Sequence, residues 1–169
     1  MGTGQMLLAL VALTILASVT ISANKLILND TDVVQGSEAM ITGTAIGQAM
    51  LEEITVKYFD QNVLPPLSTD VASAFTPPDS LGADSSDVAG ADTTDNDIDD
   101  YNGYADSVNT PRLGYFNRKC EVFYVHEDGD SSTTQTFQKK IVVTVTNPYL
   151  GTPGHSIELS QIVSYRYKD

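Results

Sequence analysis

Apolar residues run without interruption from Met6 to Ala23 (MLLALVALTILASVTISA), with no Asp, Glu, Lys, Arg, His, Asn, Gln or Pro among them. The first charged side chain is Lys25. At the helical rise of about 1.5 Å per residue, a run of this length reaches the lower edge of what crosses a hydrocarbon core. The pattern predicts a helix with no polar face.

Helical periodicity continues past Lys25. Val33, Met40, Gly47, Leu51 and Ile54 recur at steps of seven and four-plus-three, the period of one helix face, while Asp32, Glu38, Gln48, Glu52 and Lys57 interleave. No proline interrupts before Pro65-Pro66. The reading is one helix from about Gln5 to about Tyr58, roughly 80 Å long, with a kink allowed near Asn29-Asp30 or at Gly36. Gly43 and Gly47 have the small-xxx-small spacing, which suits either close approach of a second helix or room for the chain's own sheet. Glu52-Glu53 is expected to face solvent or a lysine.

From Pro65 to Pro111 neither a helical nor a strand period is visible, and Pro77-Pro78, Gly82, Gly90 and Gly103 punctuate the stretch. From Tyr115 onward the period becomes two. Cys120, Val122 and Tyr124 alternate in one run, Ile141, Val143 and Val145 in the next, and Ile157, Leu159, Gln161, Val163 and Tyr165 in the last. Glu127-Asp-Gly-Asp130 and the Pro148–Gly154 segment are the turns between them. Such a meander has one apolar face to cover, and the only candidate cover is the helix segment from about Val33 to Val56. The expected fold class is α+β, a long N-terminal α-helix packed on a small antiparallel β-sheet.

Charge narrows the partners. The net charge is −13 and the pI about 4.2, a poor match for phosphates, so no nucleic-acid partner is expected. Between Lys57 and Arg112 there is no Lys, Arg or Glu, while Asp recurs from Asp60 to Asp106. Asp95, Asp97 and Asp99 alternate like the first ligands of a calcium loop, with Asp106 at the twelfth place. Asp100 stands where an EF-hand needs its turn glycine, so a looser oxygen-ligand calcium site competes there with a plain hydrated loop. Cys120 has no partner for an internal disulfide and reads as a small buried apolar group. His126 and His155 lack metal-pair spacing, and no nucleophile or phosphate-loop motif accompanies them. No enzyme is expected.

Short polar leader, glycine, then an apolar helix, as in MGTG-QMLLALVALTILASVTISANK, resembles the N-terminus of the type IV pilin and pseudopilin superfamily. The segments IGQAMLEEI, DIDDYNGY, KKIVVTVTNP and IELSQIVSYR are similar to the later parts of minor pilins. The resemblance covers both ends of the chain and is one of architecture. It implies processing by a prepilin peptidase between Gly4 and Gln5, or after Gly2, with the helix retained and methylation of its new N-terminus. It also implies that Met6, Leu7, Leu8, Leu10, Val11, Leu13, Ile15 and Leu16 hold the chain in the inner membrane first. They would later pack in the core of an extracellular or periplasmic filament among other pilin or pseudopilin subunits. The leader here has no basic residue, and Ala9 stands at the fifth mature position, where the family usually has a glutamate; this suits a minor subunit. Some pseudopilins carry calcium after the long helix, which bears on Asp95, Asp97, Asp99 and Asp106.

The expected organisation is a leader over 1–4, the apolar half of the helix over 5–27, its amphipathic half over 28–58, an acidic loop region over 59–114 and a β-meander over 115–169. The expected role is a structural subunit, a minor one, of a type IV pilus or type II secretion pseudopilus. The alternative is a membrane-anchored or secreted calcium-dependent surface binding module.

Overall fold

A computed structural model describes residues 2–64, 67–83, 96–151 and 155–166, apart from the side chains of Leu28 and Asn29. A single helix, α1, runs Thr3–Thr55, with no break at Asn29-Asp30 or Gly36. It ends three residues before Tyr58. The chain divides into two units, Met1–Glu38 and Ala39–Asp169.

The first unit is the N-terminal part of α1. Its large apolar side chains from Met6 to Ile27 are between 55% and 74% exposed, which includes all eight residues expected in a filament core. Three of the hydroxyls within this apolar run are satisfied internally. Thr14 and Ser18 donate to the carbonyls of Val11 and Ile15 at 2.8 Å, and Thr20 donates to Leu16 at 2.9 Å. A hydroxyl bonded back to the preceding turn asks nothing of its surroundings, so these residues remain compatible with hydrocarbon. The helix is long and apolar enough to cross a membrane.

The second unit is α+β. Four antiparallel strands follow one another in the order β1-β2-β3-β4: β1 Ala105–Thr110, β2 Gly114–Tyr124, β3 Gln138–Thr146 and β4 Ser156–Ser164. Pairs such as Val108↔Phe116, Cys120↔Val143 and Val143↔Leu159 fix the register. Phe116, Cys120, Val122, Ile141, Val143 and Val145 are buried together on one face, as the two-residue period requires. β1 falls inside the stretch expected to be loop. Its sequence ADSVNT offers one large apolar side chain, Val108, so an edge strand held by backbone pairing leaves no alternating signature.

The helix segment from Ala39 covers this face, with a stripe shifted from the expected one. Ala39, Met50, Leu51 and Ile54 are buried, whereas Val33 and Met40 are exposed. Gly43 and Gly47 belong to the buried stripe. A Cβ on Gly43 would lie 2.7 Å from Ile157 Cδ1 and 3.3 Å from Phe116 Cε1; one on Gly47 would lie 2.7 Å from Leu159 Cδ1 and 3.2 Å from Val145 Cγ2. The glycines therefore seat the chain's own sheet. Gly47, Leu51 and Ile54 of the expected stripe are buried, but before Gly47 the stripe is made of small residues at steps of four, Ala39 and Gly43, which hydrophobicity alone does not pick out.

Beyond α1 the chain folds into short 3-10 turns, Gln61–Val63, Ala72–Ala74, Pro78–Ser80 and Asp99–Tyr101. Phe59, Phe75 and Tyr165 stack edge-on at 5.0–5.5 Å, forming a second apolar cluster with Val63 and Tyr124. Tyr58 pairs with the backbone at 96–98, donating to the Asn96 carbonyl and accepting from the Ile98 amide at 2.9 Å. That pairing brings Asp60 alongside Asp97. Glu52 and Glu53 are exposed to solvent, as expected, and Glu53 also accepts from the Tyr101 hydroxyl at 3.0 Å.

Candidate functional site: a buried carboxylate–lysine cluster

Asp60, Asp97, Asp99 and Asp100 are all buried where the 58–63 segment, the 96–101 segment and the start of β3 meet. Three of these carboxylates are shaped by the local backbone. Asp60 caps the 61–63 turn, accepting from the Asn62 amide at 3.0 Å. Its other oxygen accepts from the Thr76 amide at 2.8 Å. Asp97 accepts from the amides of Gln61 at 2.5 Å, Asp99 at 2.9 Å and Asp100 at 3.3 Å. Asp100 accepts from the amides of Asn96 and Asp97 at 2.9 and 3.2 Å. Aspartate supplies this geometry because its short side chain reaches backbone amides two or three residues away.

Asp99 is held differently. Its Oδ1 accepts from Lys139 Nζ at 2.5 Å, and its Oδ2 is buried with no partner among the described residues. Lys139 is completely buried, in phase on β3 with Ile141, Val143 and Val145. Its ammonium also donates to the Phe59 carbonyl at 2.8 Å and to Asp60 Oδ2 at 3.0 Å, which accounts for all three of its N–H groups. The Phe59 and Tyr124 rings lie 4.5 and 5.1 Å from Nζ. The Tyr124 hydroxyl donates to the Thr76 carbonyl at 2.7 Å, closing the pocket.

One ammonium lies among these buried carboxylates, and burial shifts two of them, Asp97 and Asp99. Burial pushes the Asp99 carboxyl up to about 7, against the pull of Lys139. Burial, and then the charge of Asp100, pushes Asp97 up to about 6, against the backbone amides that bind it. Both carboxyls therefore hold a proton to higher pH than a free aspartate does.

Of the residues expected to bind calcium, Asp97 and Asp99 come together and Asp95 lies outside the described residues. Asp106 does not join them: on β1 it pairs with Arg118 across the strand register, and that guanidinium holds its carboxyl below the usual carboxylate range. The third partner is Asp60, which sequence spacing missed. Asp60, Asp97 and Asp99 each place an oxygen within 4.8 Å of the others, a spacing that an oxygen-ligand ion can use. The cation that the structure places against them is the Lys139 ammonium. Cys120 is buried as expected, and burial drives its thiol up to about 12, so it is no nucleophile near neutral pH. No family profile, curated protein or solved structure matches this chain.

Proposed function

We propose that the chain is a structural subunit of a pilin-like filament, a type IV pilus or a type II secretion pseudopilus, and a minor one. The observation that supports this is the exposed apolar surface of residues 6–27, where Thr14, Ser18 and Thr20 bond within the helix while the second unit has a core of its own. Apolar surface of that extent needs hydrocarbon or other apolar helices around it. The membrane would hold it first, and neighbouring subunits would cover it after assembly. Transfer between the two trades lipid contact for protein contact, with van der Waals packing as the driving term.

The α+β unit would face outward. Its acidic composition keeps it hydrated, and its buried cluster joins the segment after α1 to β3. A calcium-dependent surface module is the rival reading; it requires a divalent ion among carboxylates that already hold the Lys139 ammonium. Shearing cells of the source organism and sedimenting the filaments tests the proposal. The subunit reading expects this chain in the filament fraction with its apolar helix intact. Its presence only as free protein in the medium, lacking that helix, would refute it.

A further inference from the structure

The Lys139–Asp99 contact differs from the other polar contacts of the cluster. Asp60, Asp97 and Asp100 are each bound by backbone amides, which stabilise the ionised carboxylate. Among the described residues Asp99 has no such donor; its partner there is Lys139, and its other oxygen is buried without one. A buried ammonium and carboxylate with nothing else to stabilise the carboxylate can trade a proton, leaving a neutral amine against a neutral carboxylic acid. Nζ is then in contact with a carboxyl group whose carbon is one bond away, and both groups are fixed by packing. Such positioning replaces the high concentration or activation that amide formation needs in water.

We infer that Lys139 and Asp99 form an intramolecular isopeptide bond, with Asp60 as the proton carrier. Nζ passes one proton to the Asp99 carboxylate and attacks Cγ, so that the Nζ–Cγ bond forms. Asp60 Oδ2, 3.0 Å from Nζ, takes a second proton from the nitrogen and returns it to the departing Asp99 oxygen. The Cγ–O bond breaks and one water leaves. An ammonium and a carboxylate become a neutral amide plus water, with no oxidant, activating group or cofactor. The Phe59 and Tyr124 rings flanking Nζ keep bulk water from competing. The bond would tie the 3-10 turn at 99–101 to β3 across 40 residues of sequence. It stands independently of the filament reading.

Mass spectrometry of the full, denatured chain is the test. The expected mass is that of the processed sequence less one water, and fragmentation should give a branched peptide joining the segments of Asp99 and Lys139. A full sequence mass would overturn the inference. So would a lost water accompanied by an unmodified Lys139 peptide, because Asp128-Gly129 and other aspartates can cyclise on their own. Lys139→Met should restore the lost water, and persistence of the loss in that variant would also overturn it. Should Lys139→Met not fold, the branched peptide of the native chain decides alone. In a time course after refolding, Asp60→Asn should slow bond formation on the order of a hundredfold; an unchanged rate would remove Asp60 from the mechanism.

Discussion

Met40 and Met50 lie in the same helix and carry the same side chain, and the structure gives them opposite environments. Met50 is 1% exposed in the core against the sheet, and Met40 is 57% exposed. Truncating each to alanine changes helix propensity equally, so the difference between them reports burial alone. For Met50→Ala the lost transfer energy plus the cavity left among Ile54, Ile141 and their neighbours gives a cost of about 2–5 kcal/mol. For Met40→Ala the expected cost is within about 0.5 kcal/mol. Urea unfolding of the full chain in detergent, followed by the fluorescence of its eight tyrosines with no tryptophan to mask them, is a suitable assay. With a slope of about 2 kcal/mol per molar urea, Met50→Ala should lower the midpoint by about 1–2.5 M and Met40→Ala should barely move it. Equal shifts in the two variants, or a larger one for Met40→Ala, would refute the phase assigned to the helix and with it the seating role of Gly43 and Gly47.

Protonation gives a second test. Asp97 sits at about 6 in the fold against 3.8 for the free carboxyl, so the folded chain holds the extra proton between those values. Stability from this group is full below about 3.8 and is lost as pH rises through 6. Thermal melts should therefore fall across that window and Asp97→Asn should flatten the fall; Asp99, while it is free, extends the window to about 7. Asp106 has the opposite sign: Arg118 lowers its carboxyl, so the pair stabilises above 3.8 and loses its effect as pH falls below it. Arg118→Ala should cost on the order of 1 kcal/mol at neutral pH, and a melt insensitive to the substitution would mean the pair contributes nothing. While Lys139 and Asp99 are unlinked, saturating calcium should leave the melting temperature unchanged because the Lys139 ammonium already supplies the cation; a rise that Asp99→Asn abolishes would contradict that assignment.

The period-two runs revealed β2, β3 and β4 because each alternates around buried valines, isoleucines or Cys120. They also held the clue to the site. Lys139 is two residues before Ile141 and four before Val143, so its side chain had to point into the core, where a lysine needs a carboxylate. Reading the parity of Lys139 would have found that requirement, though not its partners. Asp60 and Asp99 are separated from it by 79 and 40 residues and meet it only through the pairing of Tyr58 with the 96–98 backbone. Asp spacing suggested Asp106 as a companion to Asp97 and Asp99, but spacing carries no information about Arg118 across the sheet. The helix stripe departs from its expected phase before Gly47 for a related reason. Its contacts depend on Ala39, Gly43 and Gly47, which hydrophobicity does not register.

The account turns on whether the apolar helix remains part of the working protein. Mass spectrometry of the N-terminus of the chain isolated from cells of the source organism tests this most directly. The filament-subunit account predicts a mature chain beginning at Gln5 or Thr3, with residues 6–27 present. A chain beginning near Ala23 or Asn24 would contradict it, since the helix would then have served only as an export signal.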